Sequence, residues 1–266
     1  MALSIGICTN FLGEDRYSLQ TERYPEISRG FDYVELPAMT VTALSDPEFD
    51  ALRAELEKVG LRCPVMTNLF PADIPLLSPS LDAEALKAYL DVLLPRCRAL
   101  GCSELVLGSG KARSLRPEQD AEEGYTRLAE LLNRKVLPTA SEYGIRIILE
   151  PLNPLICNFI LTLGEGAELC RRCDGQLALL ADSLHLMHQE NIAGEILRYR
   201  GQITHVHLSE PGRKAPETNA SPALTAFLRA LKTAKYDGSV SFECRFPDGK
   251  SMQQGRAVLQ TLWDKL

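Results

Sequence analysis

The sequence predicts an α/β fold, a single (β/α)8 barrel occupying residues 1–266. Three observations lead there. Eight short apolar runs alternate with longer amphipathic stretches, about every 30 to 40 residues, which is the rhythm of βα units. The runs are apolar on both faces, as strands covered on both sides must be. No Ser/Gly-rich break or low-complexity tract marks a boundary between domains. The competing architecture, a doubly wound sheet, usually has a glycine-rich turn after its first strand, where this chain reads CTNFLGED.

Taken in order, the strand-like runs begin with SIGICTN from Ser4. No basic segment precedes that run, so it reads as a strand and not as a signal peptide. FDYVELPA from Phe31, RCPVMTN from Arg62 and SELVLGSG from Ser103 follow, then RIILEPL from Arg146, LALLADS from Leu177, ITHVHLSE from Ile203 and SVSFECRF from Ser239. Between them lie helix patterns with their own punctuation. Asp46 precedes PEFDALRAELEKVG, with Pro47 suited to the first helical position and Gly60 to the stop. Asp82 opens a helix that ends at Gly101, with Pro95 predicting a kink. Further helices are expected from Asp120 to Gly144, from Ser221 to Gly238, and from Lys250 to the C-terminus.

Composition narrows the function classes. A net charge of −6 lacks the basic footprint of a nucleic-acid binder. No apolar run is long enough for a membrane span, so neither nucleic acid nor membrane is expected as a partner. The eight cysteines are scattered, and with no export signal they suggest buried free thiols in a reducing cytoplasm. Cys170 and Cys173 form a lone C-x-x-C late in a helical stretch, without the second pair a zinc site wants. The expected partner is a small molecule. Self-association into a homo-oligomer is compatible with the sequence.

In a barrel of this kind the strand ends feed the active site. The fifth run ends in Glu150, the sixth in Asp182, the seventh carries His205 and His207, and the eighth carries Glu243. A lone charge after an apolar run is costly to bury, and a metal ion pairing four such groups at once removes that cost. Three carboxylates and an imidazole suit one divalent ion, Mn²⁺, Mg²⁺, Co²⁺ or catalytic Zn²⁺. Any one carboxylate could instead cap the next helix or pair with an arginine. His205 and His207 share a strand face; His207 lies nearer the mouth and is the better ligand, while His205 sits deeper as a hydrogen-bonded core residue. His185, three residues past Asp182, could reach a substrate, and His188 is expected in solvent.

The fourth run ends in GSGKAR, where Gly108, Ser109 and Gly110 could form an anion nest flanked by Lys111 and Arg113, or simply a glycine-rich turn with two solvated bases. Glu35 is either a barrel-lining polar group or a substrate contact. Asn10 and Asn68, at the ends of the first and third runs, are lesser candidates.

The set LEPLN from Leu149, DSLH from Asp182, HVHLSE from His205 and YDGSVSFE from Tyr236 resembles the xylose isomerase-like TIM-barrel superfamily. Within it the chain is most similar to the ketose 3-epimerase and sugar phosphate isomerase/epimerase branch. The resemblance implies metal ligation by Glu150, Asp182, His207 and Glu243. It implies that Glu150 and Glu243 are the acid/base pair, moving a proton beside a carbonyl held by the ion. It also implies substrate contacts from His185, Arg213 and Arg113. The expected activity is isomerisation or epimerisation of a small sugar or sugar phosphate. A dehydratase-type lyase and a non-catalytic sugar- or metal-binding barrel are the alternatives. A DNA-repair endonuclease with three zinc ions would need histidines on the early strands, and none precedes position 185. Where ketose 3-epimerases follow the first ligand with Asn-Arg and a second Glu, this chain has Pro154 and Ile156. An apolar wall is therefore expected there, favouring a substrate that lacks a hydroxyl at that place, is shorter, or turns an anionic end toward Lys111 and Arg113.

Overall fold

The computed structural model of the chain describes residues 3–13, 17–187, 189–217 and 220–266, so the expectation for His188 lies outside the described residues. Eight parallel strands close into a barrel in chain order. They are β1 (Ser4–Cys8), β2 (Tyr33–Pro37), β3 (Val65–Thr67), β4 (Glu104–Leu107), β5 (Arg146–Leu149), β6 (Ala178–Asp182), β7 (Ile203–Leu208) and β8 (Ser239–Phe242). β8 closes on β1 through Ser4 opposite Ser239 to Ile7 opposite Phe242. The strands are shorter than the apolar runs that announce them, because the runs continue into the loops that line the mouth.

Helices Asp46–Val59, Ala83–Ala99, Ala121–Leu131, Leu163–Arg172, Ile192–Tyr199, Pro222–Thr233 and Gly249–Lys265 wrap the outside. Their apolar stripes repeat at three- and four-residue steps, as with Leu86, Leu90, Leu93 and Cys97, all buried against the sheet. Between β1 and β2 the only α-helix among the described residues is the four-residue Tyr24–Ile27, preceded by short 3-10 turns at Thr9–Phe11 and Thr21–Arg23, so that unit is abbreviated. Three details refine the sequence expectations. Ser45, not Asp46, caps its helix, in a box where Glu48 accepts from the Ser45 N–H at 2.8 Å. The helix from Ala83 runs through Pro95 to Ala99. The long pattern from Asp120 is interrupted by a wider turn at Leu132–Val136, where the Leu137 N–H reaches back to the Leu132 carbonyl, just ahead of Pro138.

The barrel interior is divided. Val65, Val106, Ile148, Ala178 and Leu180 form an apolar plug on the β3–β6 side. The β7–β8–β1–β2 side is polar, with Tyr33, Glu35, His205, His207 and Ser241 all buried. Gly6 makes this possible: a Cβ there would overlap the Tyr33 ring, whose hydroxyl meets Ser241 Oγ at 3.0 Å. Between β6 and β7 the register slips at Leu179/Leu180, so the pairing passes from Leu179–Ile203 to Leu180–His205. The slip sets Asp182 directly opposite His207.

Candidate metal centre

Glu150, Asp182, His207 and Glu243 stand at the C-terminal ends of β5, β6, β7 and β8, and all four are buried. One ligand atom from each lies within 4.8 Å of all the others. His207 Nδ1 is 3.3 Å from Glu150 Oε1, 3.5 Å from Glu243 Oε2 and 3.9 Å from Asp182 Oδ2. Donors set about 2.0–2.3 Å from a common centre are separated by roughly 3–4.5 Å, so the set fits one divalent ion in both chemistry and spacing.

The two alternatives to a ligand role for a strand-end carboxylate, a helix cap and an arginine pair, coexist in Asp182. Its Oδ1 accepts from the N–H groups of Leu184 (2.6 Å) and His185 (3.1 Å), capping the turn Ser183–Leu186. Its Oδ2 faces the cluster and accepts from Arg213 Nη1 at 3.0 Å. Burial opposes the charged carboxylate, but Arg213, His185 and His207 together hold its pKa well below the ordinary value. Arg213 also donates to Glu243 Oε2 and lies over the Phe11 ring at 5.0 Å. Its Nη2 is 3.1 Å from His185 Nε2. His185 Nδ1 in turn meets the Asn153 amide at 2.8 Å. Asn10 Nδ2 donates to Glu243 Oε1 at 3.4 Å.

Of these groups, Glu150, Glu243, Arg213, His185, Asn153 and Asn10 line a cavity of about 550 Å³. Asn10, Asn68, Lys111, Asn153, His185 and Arg213 are among its polar lining beside Glu150 and Glu243, with Phe11, Met39, Phe70, Leu152 and Ile156 among its apolar walls. Gly108 permits the close approach of β4 to β5, since a Cβ there would overlap Glu150 Oε2. Ile156 lines the cavity and is 44% exposed, and Leu155 beside it is 92% exposed.

Two candidate substrate contacts are placed elsewhere. Arg113 is fully buried behind the cavity wall. Its Nε donates to the Gly108 carbonyl at 2.7 Å, Nη2 to the Glu150 carbonyl at 2.8 Å, and Nη1 to the Phe159 carbonyl. Its donors tie the β4 and β5 loops together, which leaves Lys111 as the base of that segment on the cavity. Glu35 is likewise fully buried, below the cluster, with His205 Nε2 at 3.1 Å and His207 Nε2 at 2.9 Å. Burial works against the Glu35 carboxylate, yet His207 and His205 override it and hold its pKa well below the usual range. The His207 pKa is raised well above its ordinary value: burial pushes down, and Glu35, Cys8 and Glu243 outweigh it. His205 is the core histidine expected, its Nδ1 on Ser239 Oγ at 2.7 Å.

Cys170 and Cys173 lie away from the cluster, on the helix Leu163–Arg172 and its end. Burial pushes their thiols up to about 12 and about 11, which suits inert packing. Sequence reasoning missed three neighbours of the site. Cys8 Sγ comes within 3.8 Å of His207 Nε2, Asn153 reaches His185, and Phe11 underlies Arg213. Only Asn153, inside the LEPLN motif, carried a local signal.

Fold and cluster together define a TIM barrel with a candidate divalent-cation centre at the C-terminal mouth. The sequence profile of the xylose isomerase-like TIM barrel family matches residues 27–262, and the chain belongs to that family. Among solved structures it is similar to a D-psicose 3-epimerase from Clostridium cellulolyticum H10 crystallised with D-tagatose (TM-score 0.83, 22% identity, 98% of each chain covered). It is similar also to an L-ribulose 3-epimerase (TM-score 0.80, 20% identity, 100% of this chain and 95% of the other). An AP endonuclease, family 2, from Brucella melitensis shares the fold more distantly (TM-score 0.73, 18% identity, 91% and 93% covered). No significant match is found among curated protein sequences. No helix among the described residues is long and apolar enough to cross a membrane.

Proposed function

We propose that the protein is a divalent-metal-dependent isomerase or epimerase of a small sugar or sugar phosphate. The observation that carries this reading is the convergence of Glu150, Asp182, His207 and Glu243 in one cluster, two of whose members, Glu150 and Glu243, line a sugar-sized cavity. An ion held by these residues would supply a Lewis acid that stabilises negative charge on a substrate oxygen and so acidifies the adjacent C–H. Glu150 and Glu243 come from β5 and β8, with two strands between them, and so reach a substrate from different sides. One carboxylate takes the proton and the other returns one: at the same carbon this inverts the centre, at the neighbouring carbon it isomerises. Asn10, on Glu243 Oε1, steadies one of the pair. Arg213 and His185 stand beside the cluster on the cavity and bind substrate hydroxyls. The solved neighbours named as epimerases of D-psicose and L-ribulose support this reading by their chemistry.

The test is a panel of four- to six-carbon ketoses and their phosphates, with Mn²⁺, in deuterated water. Deuterium entering the substrate carbon reports proton abstraction, and product analysis separates epimer, isomer and dehydrated compound. Glu150→Gln and Glu243→Gln should each slow exchange by roughly 10²–10⁴. Because Ile156 leaves an apolar wall, ketoses lacking a hydroxyl there, or carrying an anion toward Lys111, should lead the panel. Free ketohexoses giving the best kcat/KM would refute the inference from Ile156. A panel with no exchange under any metal would refute the function.

A further inference from the structure

We propose that Glu35 is a positioning residue, which dictates through hydrogen-bond direction which nitrogen His207 presents to the metal. This rests on the metal reading of the site given above. The carboxylate is fully buried, and its two oxygens are divided between two imidazoles: Oε1 lies 2.9 Å from His207 Nε2 and Oε2 lies 3.1 Å from His205 Nε2. An ionised carboxylate accepts and never donates. Both histidines therefore present an Nε2–H to Glu35. A neutral His207 protonated at Nε2 has its lone pair at Nδ1, the nitrogen that faces Glu150, Glu243 and Asp182. His205 is oriented from its other side, its Nδ1 meeting Ser239 Oγ at 2.7 Å. The chain Ser239–His205–Glu35–His207 thus runs from β8 through β7 to β2 and back, inside the polar half of the barrel. It uses no residue of the cavity lining, so it acts on the ion through His207 alone. A carboxylate behind a ligating imidazole fixes its tautomer and ring orientation and raises its basicity.

Glutamine is the discriminating substitution. Glu35→Gln preserves size but carries no charge, and its amide must offer oxygen to one histidine and NH₂ to the other. With NH₂ toward His207, the Nε2 nitrogen becomes the acceptor and Nδ1 carries the proton. Mn²⁺ titration calorimetry of metal-free protein should give a Kd about 10–100-fold weaker in Glu35→Gln than in the wild type. Circular dichroism of the metal-free variant serves as the control for folding. Nitrogen-15 NMR of the wild type loaded with diamagnetic Zn²⁺ reads the tautomer directly, whether or not the variant folds, and should show a proton on His207 Nε2. A His207 Nε2 without a proton, or a folded Glu35→Gln binding Mn²⁺ as tightly as the wild type, overturns the assignment. Wild-type protein that takes up no Mn²⁺, Mg²⁺, Co²⁺ or Zn²⁺ overturns the metal reading itself, and this assignment with it.

Discussion

Replacing Arg113 by methionine separates its two expected roles. Methionine keeps much of the apolar stem and removes the guanidinium. The carbonyls of Gly108, Glu150 and Phe159 then lose the donors that hold them. Losing a buried partner costs about 1–3 kcal/mol per group, which would sum to several kcal/mol over three carbonyls. Part of that is offset, because burying the guanidinium is itself costly: burial pushes the Arg113 pKa below its ordinary value. A net loss of about 3–5 kcal/mol is expected, and a chain of this size then melts roughly 6–15 °C lower. The assay is thermal and urea unfolding of metal-free Arg113→Met beside Lys111→Met, whose side chain is exposed on the cavity rim. Lys111→Met should melt as the wild type does and should raise KM only for anionic substrates. An Arg113→Met protein that melts normally but binds sugar phosphates poorly would refute the structural role and restore the anion site.

Two further outcomes follow from the same geometry. Gly108→Ala puts a Cβ where Glu150 Oε2 lies, so it should weaken Mn²⁺ binding at least tenfold, read by calorimetry, while circular dichroism remains that of the folded barrel. The depressed Asp182 pKa makes stability pH-dependent in a defined direction. A carboxylate whose folded value lies below its unfolded one contributes fully above about pH 4 and loses that contribution as pH falls further. Metal-free wild type should therefore lose melting temperature below about pH 4 more steeply than Asp182→Asn, and parallel curves would show that Asp182 is not the group responsible.

The barrel was legible in the sequence because its signals are local. Each strand announces itself by a run such as LALLAD or ITHVHL, each long helix by three- and four-residue steps and a cap, and the order of units leaves few ways to close a sheet. Glu150, Asp182, His207 and Glu243 could be picked out for the same reason: each ends an apolar run, where a charge needs a partner. What the sequence alone left open were directions and distant pairings. Arg113 follows a glycine-rich turn and reads as an anion contact, but nothing local says that its guanidinium turns inward to the carbonyl of Phe159, 46 residues on. Glu35 read equally well as lining or as contact until closure of the barrel brought it against His207, 172 residues away. The one-residue slip at β6–β7, which aligns Asp182 with His207, likewise leaves no mark in ITHVHLSE. Strand ends are chosen by short-range patterning, so their chemistry is written where they stand. Which atom of a side chain faces which neighbour is set by contacts across the closed barrel, between residues far apart in the chain, and only the tertiary structure decides it.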